Sequence, residues 1–268
     1  MRDRITITIK GEVLDEVDKM INNLTIRSRS QAIEYLLSKN FEQYKVSNVL
    51  ILAGGKDTIE GKLKCMVDVN GKPVLERIIS MLKSFGVENF VIYVNYKKEE
   101  ITEYFGDGKK FGINIKYVAG DKPRGRALPL KLAKAYFNKT FLVYYGDTLC
   151  KIDINDMMRV HRDNRALATI ALTTVSNPKR YGVVKLRGNR IIDFVEKPKE
   201  SGSHLVSCGV FLIEPELLKY ISKNMYSLET DLFPKLSKKN LLLGYPYEGL
   251  WLNINDKHTL SQARNLWI

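Results

Sequence analysis

A doubly wound α/β sheet is predicted for most of this 268-residue chain, preceded by a small strand–helix–helix segment. Three observations predict it. Short, wholly apolar runs such as Asn48–Ala53 are expected of strands buried on both faces of a parallel sheet. These runs alternate along the chain with stretches of helical periodicity. Ahead of them, Arg4 to Lys10 alternates strictly between polar residues and Ile5, Ile7 and Ile9, the pattern of one half-buried strand.

Gly11 ends that first strand, and Val13, Leu14, Val17, Met20, Ile21 and Leu24 then recur at helical spacing. Beyond Thr25 to Arg29, Ser30 is placed to cap a second helix with Ala32, Ile33, Leu36 and Leu37 on its apolar face. So short a segment cannot bury a core alone, and a lone strand leaves both edges unpaired. Pairing with a second copy removes both difficulties. The segment resembles the ribbon-helix-helix family of DNA-binding proteins over nearly all of residues 3–41, in its alternating strand, the glycine after it and the Ser-rich turn before the second helix. The resemblance implies a homodimer or higher homo-oligomer that binds DNA. Arg4, Thr6 and Thr8 on the polar strand face would read the major groove. Ser28, Arg29 and Ser30 would hold a phosphate at the start of the second helix. A dimerisation ribbon that never meets DNA is the alternative.

From residue 47 the elements follow in a regular order. The strand at Asn48 is followed by a helix from Pro73 to Phe85, a strand from Asn89 to Asn95 and a helix from Lys97 to Phe105. A strand at Ile113–Val118, a helix at Leu128–Phe137 and a buried strand from Thr140 to Tyr145 come next, the last ending in Gly146-Asp147. After Ala166 the pattern turns toward β, at Leu167–Val175, Gly182–Leu186, Arg190–Val195 and Ser207–Ile213, which implies a second lobe able to cover the site. Two domains are therefore expected, 1–46 and 47–268.

Lysine and arginine number 43 against 30 acidic residues, a net charge of +13, which points to an anionic partner such as nucleic acid, nucleotide or sugar phosphate. Residues 1–46 hold eight basic and seven acidic side chains, so the excess lies in the body. No window approaches a membrane span, and the N-terminus lacks the apolar core of a signal peptide, so a cytoplasmic protein is expected. Cys65, Cys150 and Cys208 are isolated among apolar residues and read as reduced packing residues. His161, His204 and His258 share no ligand spacing and read as surface or hydrogen-bonded histidines.

An ordered set of motifs runs through the body: Leu52-Ala-Gly-Gly55, Lys64, Asn70-Gly-Lys-Pro73, Gly146-Asp147, Tyr181-Gly-Val-Val184, Val195-Glu-Lys-Pro198, Cys208-Gly209 and Trp251. Together they resemble the sugar-1-phosphate nucleotidyltransferases over about residues 48–265, a family with a Rossmann-like fold and a mixed sheet. The resemblance implies attack by the phosphate of a sugar 1-phosphate on the α-phosphorus of a nucleoside triphosphate, releasing pyrophosphate. Ala53, Gly54 and Gly55 let the backbone approach a phosphate that Lys56, Lys62 and Lys64 can neutralise. Asp147 resembles the carboxylate that holds Mg²⁺, and Lys197 the residue that grips the sugar phosphate. Tyr181, Gly182, Glu196 and Gly209 resemble sugar-pocket residues.

Three positions depart from that family. Ile59 stands where the loop carries an arginine that stabilises the leaving triphosphate. Asn253 stands where the second metal-binding aspartate is expected, offering a neutral oxygen in place of a charge. Arg124-Gly-Arg-Ala-Leu-Pro129 replaces the segment that faces the base, bringing in Arg126 and Pro129. Two readings follow: a DNA-binding regulatory dimer whose body binds a nucleotide sugar or sugar phosphate and catalyses weakly, and an active Mg²⁺-dependent nucleotidyltransferase dimerised by its N-terminal ribbon.

Overall fold

The computed structural model describes residues 4–22, 24–120, 127–222 and 224–267, with the backbone alone for 40–43. The chain divides into two compact units, Met1–Lys45 and Val46–Ile268.

In the first unit, helices α1 (Gly11–Lys19) and α2 (Arg29–Gln43) pack together, and among the described residues there Val17 and Ala32 are the buried ones. The side chain of Asn22 accepts from the backbone N–H groups of Leu24, Thr25 and Ile26, turning the chain between them. Two expectations are corrected. Residues 4–10 form no hydrogen-bonded strand, and Ile5 and Ile7 are 73% and 52% exposed, because a single strand has no edge to pair with in one copy of the chain. The second helix starts two residues early, at Arg29, so Ser28 and not Ser30 is its cap: Ser28 Oγ accepts from the Gln31 N–H, while Gln31 Oε1 accepts from Arg27 N–H.

The second unit contains strands β1 (Asn48–Leu52), β2 (Thr58–Ile59), β3 (Lys62–Leu63), β4 (Asp68–Val69) and β5 (Lys72–Pro73), then α3 (Val74–Ser84), β6 (Asn89–Val94) and α4 (Lys98–Phe105). It continues through β7 (Asn114–Ala119), α5 (Ala127–Leu132), β8 (Phe141–Tyr145), β9 (Thr148–Cys150), α6 (Ile154–Asp163), β10 (Ala168–Thr174) and β11 (Gly182–Arg187). The remainder is β12 (Arg190–Glu196), β13 (Leu205–Ile213), α7 (Phe233–Lys238), β14 (Leu242–Pro246), β15 (Trp251–Asn253) and α8 (Lys257–Leu266). Among the described residues the main sheet has nine strands in the order β10-β14-β12-β11-β13-β8-β1-β6-β7.

Strands β8, β1, β6 and β7 are parallel, and β8 then pairs antiparallel with β13. The expected second lobe is therefore a continuation of the same sheet. Strand order reverses between β1 and β8, the switch point outside whose carboxyl ends ligands bind in open α/β sheets. Phe141, Val143, Phe211, Phe194 and Phe233 fill one core face behind it. Pro73 closes β5 and precedes α3 as its cap instead of entering the first turn. The helix expected to reach Phe137 stops at Leu132 and gives way to a short 3₁₀ turn at Lys134–Tyr136. Among the described residues no helix is long and apolar enough to cross a membrane.

Candidate active site

The loop leaving β1 carries Ala53, Gly54 and Gly55 over the switch point. A Cβ on Gly54 would lie 2.4 Å from the Tyr93 ring, so the close approach there requires glycine. Beyond it the chain folds into the β2–β3 hairpin, whose two turn residues, Glu60 (φ 53°) and Gly61 (φ 78°), both have positive φ as a two-residue turn of this kind demands. That hairpin turns Ile59 inward, leaving it 6% exposed. Its tip is tied down by Arg264 of α8, which donates to both carboxylate oxygens of Glu60 at 3.4 and 2.9 Å.

The loop and the turn Gly146-Asp147, between β8 and β9, open a cleft with two adjoining halves. The first, of about 240 Å³, is lined by Ala53, Gly54, Gly55, Tyr93, Asn95 and Pro129. The second, of about 170 Å³, is lined by Tyr181, Gly182, Glu196, Lys197, Gly209 and Asn253. Asp57, Lys64, Tyr145 and Asp147 line both. Lys64 is held on that shared wall, with Nζ 3.4 Å from Asp57 Oδ2 and 3.5 Å from Asn255 Oδ1.

In the second half, Lys197 adopts a left-handed backbone (φ 47°) that non-glycine residues avoid, while its N–H donates to the Tyr181 carbonyl at 3.0 Å. This projects its ammonium outward, 3.8 Å from Glu196 Oε1. Gly209, at φ 77°, lets β13 pass beneath Tyr145, whose ring would sit 2.6 Å from any Cβ there. Tyr181 packs edge-on to Trp251, whose indole N–H donates to the Cys208 carbonyl. Burial raises the Tyr181 phenol pKa, so it stays a protonated donor at neutral pH.

Asp147 and Asn253 are brought together by the pairing of β9 with β15, which places Asn253 opposite Thr148 and the Ile254 N–H on the Asp147 carbonyl. Asn253 Nδ2 donates to Thr148 Oγ1, leaving Oδ1 buried without a partner. Asn253 and Asp147 line the same half of the cleft, and an amide oxygen and a carboxylate are donors of the kind a hard divalent cation takes. These donor types fit Mg²⁺, which Asp147 and Asn253 would hold.

The other expected residues divide. Lys56 and Lys62 are exposed on the loop and line neither half. Arg126 lies outside the described residues. Arg4, Thr6 and Thr8 are exposed, whereas Arg29 forms a two-pronged ion pair with Asp18 at 2.7 Å, which commits its guanidinium within the unit. Sequence reasoning missed Asp57, Asn95, Tyr145, Asn255 and Glu229. Glu229 is 4% exposed at the floor of the second half, where it accepts from Tyr145 and Ser227 hydroxyls. Asn95 ends a predicted strand and Asn255 lies four residues beyond Trp251, positions that could have flagged them; Glu229 comes from a distant helical turn and carried no signal. Cys65, Cys150 and Cys208 are free and buried, as expected. Burial first, then the Asp147 charge, pushes the Cys65 thiol up to about 12. His161 is buried, bonded to Thr169 and Glu214, and His204 bonds the Val175 carbonyl, consistent with structural histidines.

Residues 48–265 match the nucleotidyl transferase family, and the chain belongs to it. It is 31% identical over 231 residues to mannose-1-phosphate guanyltransferase 2 of Candida glabrata, covering 82% of this chain and 64% of that protein. It is 36% identical over 215 residues to a UTP–glucose-1-phosphate uridylyltransferase of Synechocystis, covering 72% of this chain and 55% of that one. The chain thus spans less than two thirds of the length of these curated relatives. Among solved structures, HddC of Yersinia pseudotuberculosis complexed with GMP-PN superimposes with a TM-score of 0.72 at 23% identity, covering 83% of this chain and 100% of that one, a likeness of fold.

Proposed function

We propose that Val46–Ile268 is a Mg²⁺-dependent sugar-1-phosphate nucleotidyltransferase of low turnover. The observation that carries this is the two-part cleft with Lys64 and Asp147 on its shared wall, where a phosphate bridging nucleotide and sugar would lie. Gly54 and Gly55 admit the triphosphate, Lys64 pairs with its phosphates, and Lys197 holds the sugar phosphate in line. Glu196 and the Tyr181 hydroxyl orient sugar hydroxyls. Asp147 and Asn253 would hold Mg²⁺, which would supply positive charge to the phosphates. Relatives named for mannose 1-phosphate and glucose 1-phosphate support a hexose 1-phosphate as substrate.

Burying Ile59 removes the loop's cation, and the loss of one such donor typically lowers turnover by about two to three orders of magnitude. Incubation of a panel of nucleotide sugars with radiolabelled pyrophosphate, read as label appearing in nucleoside triphosphate while sugar 1-phosphate is released, tests the proposal. Slow, Mg²⁺-dependent incorporation that Lys64→Ala abolishes is expected; no incorporation at any metal concentration removes the enzymatic reading and leaves a binding domain.

A second reading concerns the first unit. We propose that residues 4–45 pair with a second copy through Ile5 and Ile7, exposed here, and present Arg4, Thr6 and Thr8 to DNA. The exposure of these two isoleucines, beside Val13, Leu36 and Leu37 at 42–52%, supports it. Sedimentation of the full chain should give a dimer that residues 46–268 alone do not form, and gel shifts should show a preferred DNA sequence that Thr6→Ala relaxes. Equal association of the full chain and of residues 46–268 would place the contact elsewhere.

A further inference from the structure

A further cavity, of about 400 Å³, lies between the 3₁₀ turn Pro215–Tyr220 and α7 and shares no lining residue with the cleft. Its volume is that of a small-molecule site. Leu232 and Leu236, both buried, and the half-buried Met225 give it an apolar floor, while the exposed Lys235, Lys238 and Lys239 stand at its rim. Their spacing along α7 puts the three lysines on one face.

No carboxylate lines this cavity, and among the described residues none of the three ammonium groups forms a salt bridge. Asp231, one turn before Lys235, has its Oδ2 engaged by the N–H groups of Tyr226 and Ser227. Clustered like charges over an apolar hollow are relieved by an anion whose body fills the hollow. Lys239 stands over the Tyr220 ring, 5.4 Å from its centre, which removes that face as a platform for a flat ring. The branched and flexible chains of the floor suit an aliphatic body instead.

The chain joining Met225 to Leu232 also floors the cleft. It makes the π-helical turn Leu228–Leu232, which carries Glu229 to the Tyr145 and Ser227 hydroxyls in the second half. Such turns are rare and appear mostly at functional sites.

We propose that this cavity binds a small amphipathic acid, a phosphate or carboxylate on an aliphatic body, and that its occupancy is transmitted to Glu229 through the π turn. The acid group lies among Lys235, Lys238 and Lys239, and the body covers Met225, Leu232 and Leu236.

Calorimetric titration of the full chain at low ionic strength with octyl phosphate, inorganic phosphate and octyltrimethylammonium tests the site. Octyl phosphate is expected to bind once per chain, at least about tenfold more tightly than either control, because only it carries both the charge and the body. The combined variant Lys235→Gln, Lys238→Gln and Lys239→Gln should lose that advantage with its thermal midpoint unchanged, since all three side chains are exposed. No binding of octyl phosphate, equal affinity for octyltrimethylammonium, or binding unchanged in the variant overturns the site. Amide exchange at residues 227–232 should slow when octyl phosphate is added to the native chain and stay as it was in the variant. Binding that leaves those amides unaltered overturns the link to Glu229. Neither readout depends on the nucleotidyltransferase reading, which stands or falls on its own assay.

Discussion

Ile59 is held inward by a hairpin whose geometry leaves no room for a long cation, so its identity and its surroundings are matched. A guanidinium there must either enter the core unpaired or pull the hairpin open. Ile59→Arg is therefore expected to cost about 2–4 kcal/mol in denaturant unfolding and to give no gain in nucleotidyl transfer. Lys197 poses the opposite case, a side chain held in a backbone conformation that glycine adopts freely. Lys197→Gly should leave stability equal or raised by about 1 kcal/mol while weakening sugar-phosphate binding at least tenfold, read by calorimetry beside thermal melting. A fall in both quantities together would make Lys197 structural.

At the scale of elements, α8 governs the site from behind. Its first turn is capped by Asp256, its Arg264 grips Glu60, and Asn70 Nδ2 donates to the Arg264 and Trp267 carbonyls. The N–H of Thr259 is the main cause holding the Asp256 carboxyl below the usual range, against an opposing effect of burial and with the Thr259 hydroxyl and the Arg180 charge adding to it. A depressed carboxyl stabilises the fold above its unfolded pKa of about 3.9, and that contribution is lost as pH falls through its lower folded value. The midpoint difference between the native chain and Asp256→Ala should thus be full at pH 6 and shrink below about pH 4. A difference independent of pH would show that the charge contributes nothing. The sequence displayed β1, β6 and β8 clearly, since each is a mainly apolar run between turn residues, and it placed β7 within one residue; it offered Gly54, Asp147 and Lys197 through their motifs. It concealed the hairpin, because Thr58-Ile-Glu-Gly-Lys-Leu63 is too short for periodicity to speak. At Arg4–Lys10 the strict alternation suggested a strand, but alternation alone supplies no pairing edge, and no ladder forms there.

For the molecule as a whole, the basic excess sits outside the first 46 residues, on the part that holds the cleft. Anionic ligands are drawn toward such a surface, and their association rates should fall as salt shortens the range of that attraction. The nine-stranded sheet has a further consequence. Both halves of the cleft are built on one hydrogen-bonded ladder running unbroken from β7 through β8 and β13 to β10. Such a plate has no hinge, so capture of a ligand proceeds by the settling of loops onto a rigid platform and not by two jaws swinging shut. Small-angle X-ray scattering of residues 46–268 should then give the same radius of gyration with and without saturating nucleotide sugar. Amide hydrogens in the loop at residues 54–63 should slow their exchange on binding, while those of β1 and β8, already opened only by global unfolding, keep their rates unless the whole unit is stabilised.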